Sequence, residues 1–210
     1  MLPLIVDIED KKIVIFGGGS VGERKVELFK DADVLVVSKT FTPGLRRLAD
    51  EGFVKLLTCD LNKVDIELLI DGAFLVIPAT DDPGLNAKIV GHAKKHNVLT
   101  NPVGGAGDII IPSVIKRGDI VIGISTLGKS PAMSKFLRKK LEQVIPKKYA
   151  DMVRLQAEIR EILKVRIPDQ KAREKVLWEI LNDNIIWECL GTSYDKAYEL
   201  SLSHIKTRAK

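Results

Sequence analysis

The sequence predicts an α/β fold with a doubly wound parallel sheet, followed by a small strand–helix module and a helical C-terminal region. Short apolar runs alternate with helical patterns over the first hundred residues, a glycine-rich turn follows the first run, and the alternation ends near residue 101. Strands and helices that alternate in this way form parallel sheets with right-handed crossovers. The 210 residues, 45% hydrophobic and 29% charged, have the composition of a globular chain.

The first half of the chain contains the predicted sheet. Residues 11–16 (KKIVIF) form a β-branched apolar run that ends at glycines, as expected of a strand buried on both faces. Pro43 and Asp82 are typical helix-start residues, the first as an N1 proline and the second as a cap. The strands are predicted at residues 11–16, 34–37, 54–58, 73–77 and 98–100, and the helices at residues 23–30, 43–51 and 82–96.

The pattern changes after the fifth predicted strand. Residues 119–125 (DIVIGIS) read as a strand outside the alternation, and Ser130 and Pro131 begin a helix that runs to about residue 144. From residue 147 onward the pattern is helical, interrupted at Pro168 and Gly191. We therefore predict three domains, at residues 1–110, 111–146 and 147–210.

Charge and composition exclude several classes of protein. Residues 1–130 contain 16 basic and 17 acidic side chains, net −1, and residues 131–210 contain 17 and 11, net +6. The most apolar neighbourhood, residues 109–124, is interrupted by charges, so no membrane span is expected. The start of the chain lacks the basic leader of a signal peptide. Cys59 and Cys189 show no disulfide or metal-ligand spacing, and we expect a reducing, cytoplasmic location.

A glycine motif follows the first predicted strand and precedes a helix. Gly17, Gly19 and Gly22 form G-x-G-x-x-G, in which the first glycine permits a tight turn and the second lets a pyrophosphate approach the backbone. The third glycine permits close packing of helix and strand, and the helix N-terminus attracts the phosphates. The position of the motif in the first βαβ unit predicts a dinucleotide site, to which Gly18 and the residues after Gly19 also contribute.

The second strand lacks the acidic residue that usually holds the ribose hydroxyls of NAD. Ser38, Lys39 and Thr40 stand there instead. The two hydroxyl side chains are suited to bond the ribose, and Lys39 would tolerate a 2′-phosphate, unless it is simply a solvated surface lysine. The residues alone leave the choice between NAD and NADP open.

Polar side chains follow the fourth and fifth predicted strands, at the sheet edge where ligands bind in such folds. Thr80 and Asp81 are candidates for lining the cleft, whereas Asp82 is expected to cap a helix. Asn101 either contacts the ligand or simply ends its strand.

Ordered motifs over roughly residues 2–145 resemble the precorrin-2 dehydrogenase family, the siroheme-synthase type of NAD-dependent enzyme. The matching segments are Leu2-Pro3-Leu4, Gly17-Gly18-Gly19-Ser20-Val21 with Arg24-Lys25, Ala79-Thr80-Asp81-Asp82-Pro83 with Asn86, Asn101, Pro112 with Arg117-Gly118, Ile124-Ser125-Thr126, and Gly128-Lys129-Ser130-Pro131 with Arg138. The resemblance implies a Rossmann domain, a dimerisation module, a helical domain and a homodimer. It also implies oxidation of precorrin-2 to sirohydrochlorin with NAD⁺, in siroheme and related tetrapyrrole biosynthesis.

The resemblance also implies roles for individual residues. Ser20 and Val21 would contact the cofactor phosphates, and Lys39 with Thr40 the adenosine side. Because the family uses NAD⁺ without an acidic second strand, the resemblance selects NAD over NADP. Toward the nicotinamide end we expect the cofactor contacts to be Thr80, Asn101 and Val103.

The sequence departs from the family pattern at one position. The family usually has Asn-x-x-Asp-x-Pro after the fifth strand, and its aspartate is the expected catalytic and metal-handling carboxylate. Here Gly104 stands in that place. Asp108 and Asp81 are therefore the candidate proton acceptors, although Asp108 is equally well interpreted as a loop residue. We expect weak or absent metal insertion, and no metal site, because His92 and His96 lack a third ligand.

An anionic tetrapyrrole with eight carboxylates needs cationic partners. Arg117, Lys129 and Arg138 lie in the matching segments and are the candidates. Ser125, Thr126 and Ser130 form a hydroxyl-rich turn before a helix, which either binds a carboxylate or is an ordinary capping turn.

Two other functions compete with the dehydrogenase. One is a non-catalytic NAD-sensing module of the same fold that has lost the aspartate. The other is nucleic-acid binding by the basic tail. The tail does not favour it, because its basic residues alternate with acids and aromatic side chains are few.

Overall fold

A computed structural model describes residues 2–105 and 107–206, without the side chain of Lys206. It divides the chain into two compact units, the first ending at Ile111 and the second beginning at Pro112. Within the described residues no helix is long and apolar enough to cross a membrane. The predicted further boundary near residue 146 lies inside the second unit and stays a prediction.

The first unit contains a parallel sheet with the strand order β3-β2-β1-β4-β5, which confirms the predicted doubly wound fold. The order reverses beside β1, and ligands bind at such a switch point in open α/β sheets. The strands are β1 Lys12–Phe16, β2 Asp33–Ser38, β3 Lys55–Thr58, β4 Leu75–Pro78 and β5 Leu99–Thr100, and the helices are α1 Ser20–Val26, α2 Pro43–Asp50, α3 Ile66–Ile70 and α4 Pro83–Lys95.

The first strand is buried on both faces, as its apolar run predicts. Ile13 and Ile15 pack into one core cluster, while Val14 and Phe16 pack into the cluster on the other face. All four side chains are fully buried. Phe16 lies opposite Val37 of β2 and Pro78 of β4, so three strands end at one level. This common end brings the loops after β1, β2 and β4 to the same edge of the sheet.

Two elements of the first unit differ from the prediction. Helix α1 begins at Ser20, directly after Gly19, and ends at Val26 rather than spanning residues 23–30. Beyond Val26 the chain continues as turns, yet Phe29 stays buried, which explains why the apolar spacing resembled a longer helix. The short helix α3 was not predicted, although Asp65 caps it by accepting a 2.9 Å hydrogen bond from the Glu67 backbone N–H.

The second unit begins with an antiparallel hairpin. Strands β6 (Ser113–Arg117) and β7 (Ile120–Ile124) pair directly, with Arg117 opposite Ile120. The sequence predicted β7 but not β6. Strand β6 is defined by its pairing with β7 across the turn. Helix α5 (Pro131–Val144) follows, and the Ser130 hydroxyl accepts a 3.2 Å hydrogen bond from the Met133 N–H, as expected of a cap.

Up to residue 206, four further helices follow in the second unit and confirm the helical pattern of the C-terminal region. Their fully buried positions, among them Leu155, Ile159, Val176 and Ile180, form one core cluster. The helices are α6 Lys148–Arg166, α7 Gln170–Leu181, α8 Asn184–Leu190 and α9 Tyr194–Lys206.

Candidate functional site

A cleft of about 610 Å³ lies in the first unit, at the carboxyl ends of its strands. It is lined by the glycine loop, by the ends of β2 and β4, and by residues that follow β3. Most of the predicted cofactor residues meet here. Those that line the cleft are Gly17, Gly18, Gly19, Ser20, Val21, Ser38, Lys39, Thr40, Thr80 and Val103, whereas Gly22 and Asn101 are not among its lining residues. Of the two candidate proton acceptors, Asp81 lines the cleft and Asp108 does not.

The glycine loop has little room for side chains, except toward the cleft. A Cβ on Gly17 would lie 2.4 Å from the carbonyl oxygen of Ala79, and the φ of Gly17 is +119°. A Cβ on Gly22 would lie 2.1 Å from the carbonyl oxygen of Gly17. Around Gly19, in contrast, no described atom lies within 4 Å of a Cβ position. Gly17 and Gly22 are therefore required by the packing of the loop, whereas the space around Gly19 is open.

The loop is also packed against the end of the second strand. A Cβ on Gly18 would lie 2.1 Å from the carbonyl oxygen of Thr40. The Thr42 hydroxyl, which caps α2, donates a 2.5 Å hydrogen bond to Oε2 of Glu23 on α1. A ligand held on the loop would therefore lie beside Ser38, Lys39 and Thr40.

Asp60, which follows β3 and lines the cleft, was not predicted from the sequence. The Lys39 ammonium lies 3.2 Å from Oδ1 of Asp60. The backbone N–H of Asn62 donates to the same oxygen, and this bond, followed by the contact with Lys39, lowers the pKa of the Asp60 carboxyl. Its position after the third predicted strand could have indicated this, because the carboxyl end of β3 lies at the same sheet edge as those of β2 and β4. The missed lining residues are Asp60, Leu61, Asn62, Ala79, Asp82 and Leu85.

The segment after β4 is held by its own hydrogen bonds. Thr80 donates a 2.7 Å bond from its hydroxyl to Oδ1 of Asn86, and Asn86 returns a bond to the Thr80 carbonyl. Asp82 caps α4 by accepting from the Gly84 and Leu85 N–H groups. Asp81, between these anchored residues, is exposed and has no hydrogen-bond partner among the described residues.

Asn101 and Asp108 anchor the loop that follows β5. The Asn101 amide accepts a 2.7 Å hydrogen bond from the Lys25 ammonium and donates one of 2.9 Å to the Ile109 carbonyl. Oδ2 of Asp108 accepts bonds from the hydroxyl (2.7 Å) and backbone N–H (3.0 Å) of Thr100. The hydroxyl bond is the main reason why the pKa of Asp108 lies below its usual range. Burial lowers the pKa of Lys25.

Gly104 lies in the same loop with a φ of +75°, and no described atom lies within 4 Å of its Cβ position. No described group of three or more histidine, cysteine or acidic side chains is arranged to hold a metal ion. His92 of α4 and His96, which follows the helix, contact a carboxylate instead: His92 Nδ1 lies 2.8 Å and His96 Nε2 3.6 Å from oxygens of Glu67.

The predicted substrate residues lie in the second unit. Ser125 accepts a hydrogen bond from the Leu127 N–H, and Thr126 exchanges hydrogen bonds with the backbone of Ser130, so that these hydroxyls form a capping turn. Lys129 is exposed in this turn.

Two arginines of the second unit differ in how far their side chains are already paired. Arg138 is paired with Glu142 at 2.5 Å. In Arg117 the Nε is buried and has no partner among the described residues. Arg117 therefore retains an unused hydrogen-bond donor, whereas the charge of Arg138 is already balanced.

Comparison with known proteins gives consistent matches. Residues 4–113 match a family model described as "Putative NAD(P)-binding". A precorrin-2 dehydrogenase of Methanosarcina barkeri is 49% identical over 98% of this chain and 94% of its own length. A siroheme synthase of Methylococcus capsulatus is 34% identical over 85% of this chain, which spans only 37% of that protein. A solved structure titled "SirC, precorrin-2 dehydrogenase" matches 98% of this chain and all of its own with a TM-score of 0.76 at 24% identity, which supports the fold.

Proposed function

The chain belongs to the precorrin-2 dehydrogenase family, and from this membership we infer that it oxidises precorrin-2 to sirohydrochlorin with NAD⁺ as the hydride acceptor. The observation that carries the inference is the 49% identity over nearly the full length of both chains, together with an intact cleft behind the glycine loop. A non-catalytic NAD-sensing module is not favoured, because the relatives are named for the enzymes.

The residues of the cleft fit a dinucleotide. The open space at Gly19 and the free N–H groups of Ser20 and Val21, at the start of α1, suit a pyrophosphate. Lys39 and Thr40 would lie at the adenosine end, and Thr80 with Val103 at the nicotinamide end. NAD⁺ supplies the acceptor for the hydride, and the protein supplies binding and orientation.

We propose Asp81 and Asp108 as the groups that accept the proton released on dehydrogenation. Asp81 lines the cleft and is not engaged by another described residue, which supports a role toward a bound ligand. Asp108 remains ionised because of its bonds to Thr100, but these bonds also occupy one of its oxygens. Asn101, which accepts a hydrogen bond from Lys25, would position the backbone between Asp81 and Asp108.

The proposed substrate contacts are the cations and hydroxyl groups of the second unit. A substrate with many carboxylates gains most from guanidinium donors, which bind carboxylates in two-point geometry. Arg117 has no ion-pair partner among the described residues, so its positive charge is not already balanced by a carboxylate. The other proposed contacts are Ser125, Thr126, Lys129, Ser130 and Arg138.

The proposal includes a homodimer in the cytoplasm. Helix α5 has an exposed apolar face formed by Met133, Phe136, Leu137 and Val144, and exposed apolar faces of this kind mark protein interfaces. We propose that this face of α5 binds a second copy of the chain. Both cysteines are free thiols, which suits a reducing compartment.

An anaerobic assay of NADH formation from precorrin-2 and NAD⁺ tests the function. We expect turnover by the wild-type protein, and a loss of about a hundredfold (the lower end of what general acid–base catalysis contributes) in Asp81→Ala or Asp108→Ala. Asp31→Ala, an exposed aspartate outside the cleft, is the matched control. Tight NAD⁺ binding without NADH formation would overturn the dehydrogenase in favour of the sensor. Full turnover by both aspartate variants would overturn the assignment of the proton acceptors alone.

A further inference from the structure

The cleft contains a carboxylate at its adenosine end, although the second strand has none. Ser38 at the end of β2 lies opposite Thr58 of β3, and Asp60 follows two residues later. The Cys59 N–H donates to the Ser38 carbonyl and continues the pairing beyond the strands. Asp60 is therefore held beside Lys39, in the region where other dinucleotide-binding proteins place the acidic end of β2.

The two oxygens of Asp60 have different surroundings. Oδ1 accepts from the Asn62 backbone N–H at 3.1 Å and lies 3.2 Å from the Lys39 ammonium. Oδ2 has no partner among the described residues. The side chain of Asp60 is 30% exposed and lines the cleft. One oxygen is thus used to orient the carboxylate, and the other remains an acceptor for a hydroxyl group.

The charges around the cleft disfavour an additional phosphate. The described lining residues include Lys39 as the cation and three carboxylates, Asp60, Asp81 and Asp82, for a net charge of −2. The charge of Lys39 is balanced by Asp60. A 2′-phosphate beside these residues would face the Asp60 carboxylate rather than an unpaired Lys39 ammonium. Two negative groups at short distance repel each other.

We propose that Asp60 is the residue that makes this site select NAD over NADP, with its free oxygen accepting a hydrogen bond from an adenosine ribose hydroxyl. Its ion pair with Lys39 keeps that lysine from attracting a 2′-phosphate. The carboxylate that most dinucleotide folds carry on the second strand is thus supplied here after the third. This inference rests on the proposed use of NAD and names the residue responsible for the preference.

Binding of NADH and NADPH, measured by the fluorescence of the reduced nicotinamide without precorrin-2, tests the proposal. The wild-type protein is expected to bind NADH more tightly than NADPH. Asp60→Asn keeps the shape but removes the charge and frees Lys39. The ratio of the two dissociation constants is then expected to shift toward NADPH by about tenfold, the order expected for one charge pair near a protein surface.

Two further variants make the test specific. Lys39→Gln should weaken NADPH binding more than NADH binding, and it should abolish the gain when combined with Asp60→Asn. Asp31→Asn removes an equal charge outside the cleft and should not change the ratio. An unchanged ratio in Asp60→Asn, with NADH still bound, would overturn this inference alone. A wild-type protein that binds neither nucleotide would overturn the proposed function as well.

Discussion

The ammonium of Lys25 donates a 2.7 Å hydrogen bond to the side-chain carbonyl of Asn101, a residue 76 positions away. The contact joins α1, which follows the glycine loop, to the end of β5. The amide of Asn101 donates in turn to the carbonyl of Ile109. One asparagine therefore links the helix that follows the glycine loop to the loop that contains Gly104.

Lys25→Met is expected to destabilise the protein by about 1 kcal/mol, because it leaves the Asn101 carbonyl without its donor. Urea unfolding should show a lower midpoint with an unchanged slope. Arg24→Met, at an exposed cation next in the chain, is the control and should unfold as the wild type does. Equal midpoints for the two variants would show that the bond contributes nothing to stability.

Asp108→Asn is expected to lower stability at neutral pH, since the hydrogen bonds from Thr100 favour the ionised carboxylate and lower its pKa. A lowered folded-state pKa adds stability above the unfolded value of about 4, and that contribution is lost as the pH falls through the folded value. The difference from wild type should therefore shrink in acid. A constant difference for Asp108→Asn across pH would contradict this account.

Gly19→Ala and Gly22→Ala should separate cofactor binding from folding. An alanine Cβ at Gly19 has free space and an ordinary φ of −82°, so the thermal midpoint should be unchanged while NADH binding weakens at least tenfold. An alanine at Gly22 would clash with the Gly17 carbonyl, so the thermal midpoint should fall by several degrees. Unaltered NADH binding by Gly19→Ala would show that no pyrophosphate lies against this glycine.

Phe136→Glu should convert the proposed dimer into a monomer, because Phe136 is 55% exposed on the apolar face of α5. Light scattering on a sizing column measures the mass directly. Lys135→Glu is the control, since helical spacing places Lys135 on the opposite side of α5. A wild-type monomer, or a dimeric Phe136→Glu protein, would contradict the proposed interface.

Metal insertion into sirohydrochlorin should be no faster with the pure protein than without it. Gly104 stands where the family usually has the metal-handling aspartate, and no described acidic or histidine cluster replaces it. The rate of Co²⁺ insertion, followed by absorbance, is the measurement. A rate well above the protein-free reaction would show that another group performs this step.

Local patterns allowed much of the first unit to be predicted. The apolar runs of β1 and β4 are buried on both faces, and G-x-G-x-x-G after β1 placed the cleft correctly. Helix α1 was predicted three residues too late, because the buried Phe29 lies beyond the helix but continues its apolar spacing. Strand β6 was missed, since its assignment depends on pairing with β7 rather than on its own residues.

The sequence by itself determined the alternation of strands and helices in the sheet, the glycine loop and the family, because these depend on residue type and short spacing. Only the tertiary structure decided which distant side chains meet. It brought Asp60 to Lys39, tied Asn101 to Lys25, and anchored Asp108 on Thr100. These contacts join different strands and helices, and their geometry follows from the pairing of the sheet, which no local pattern encodes.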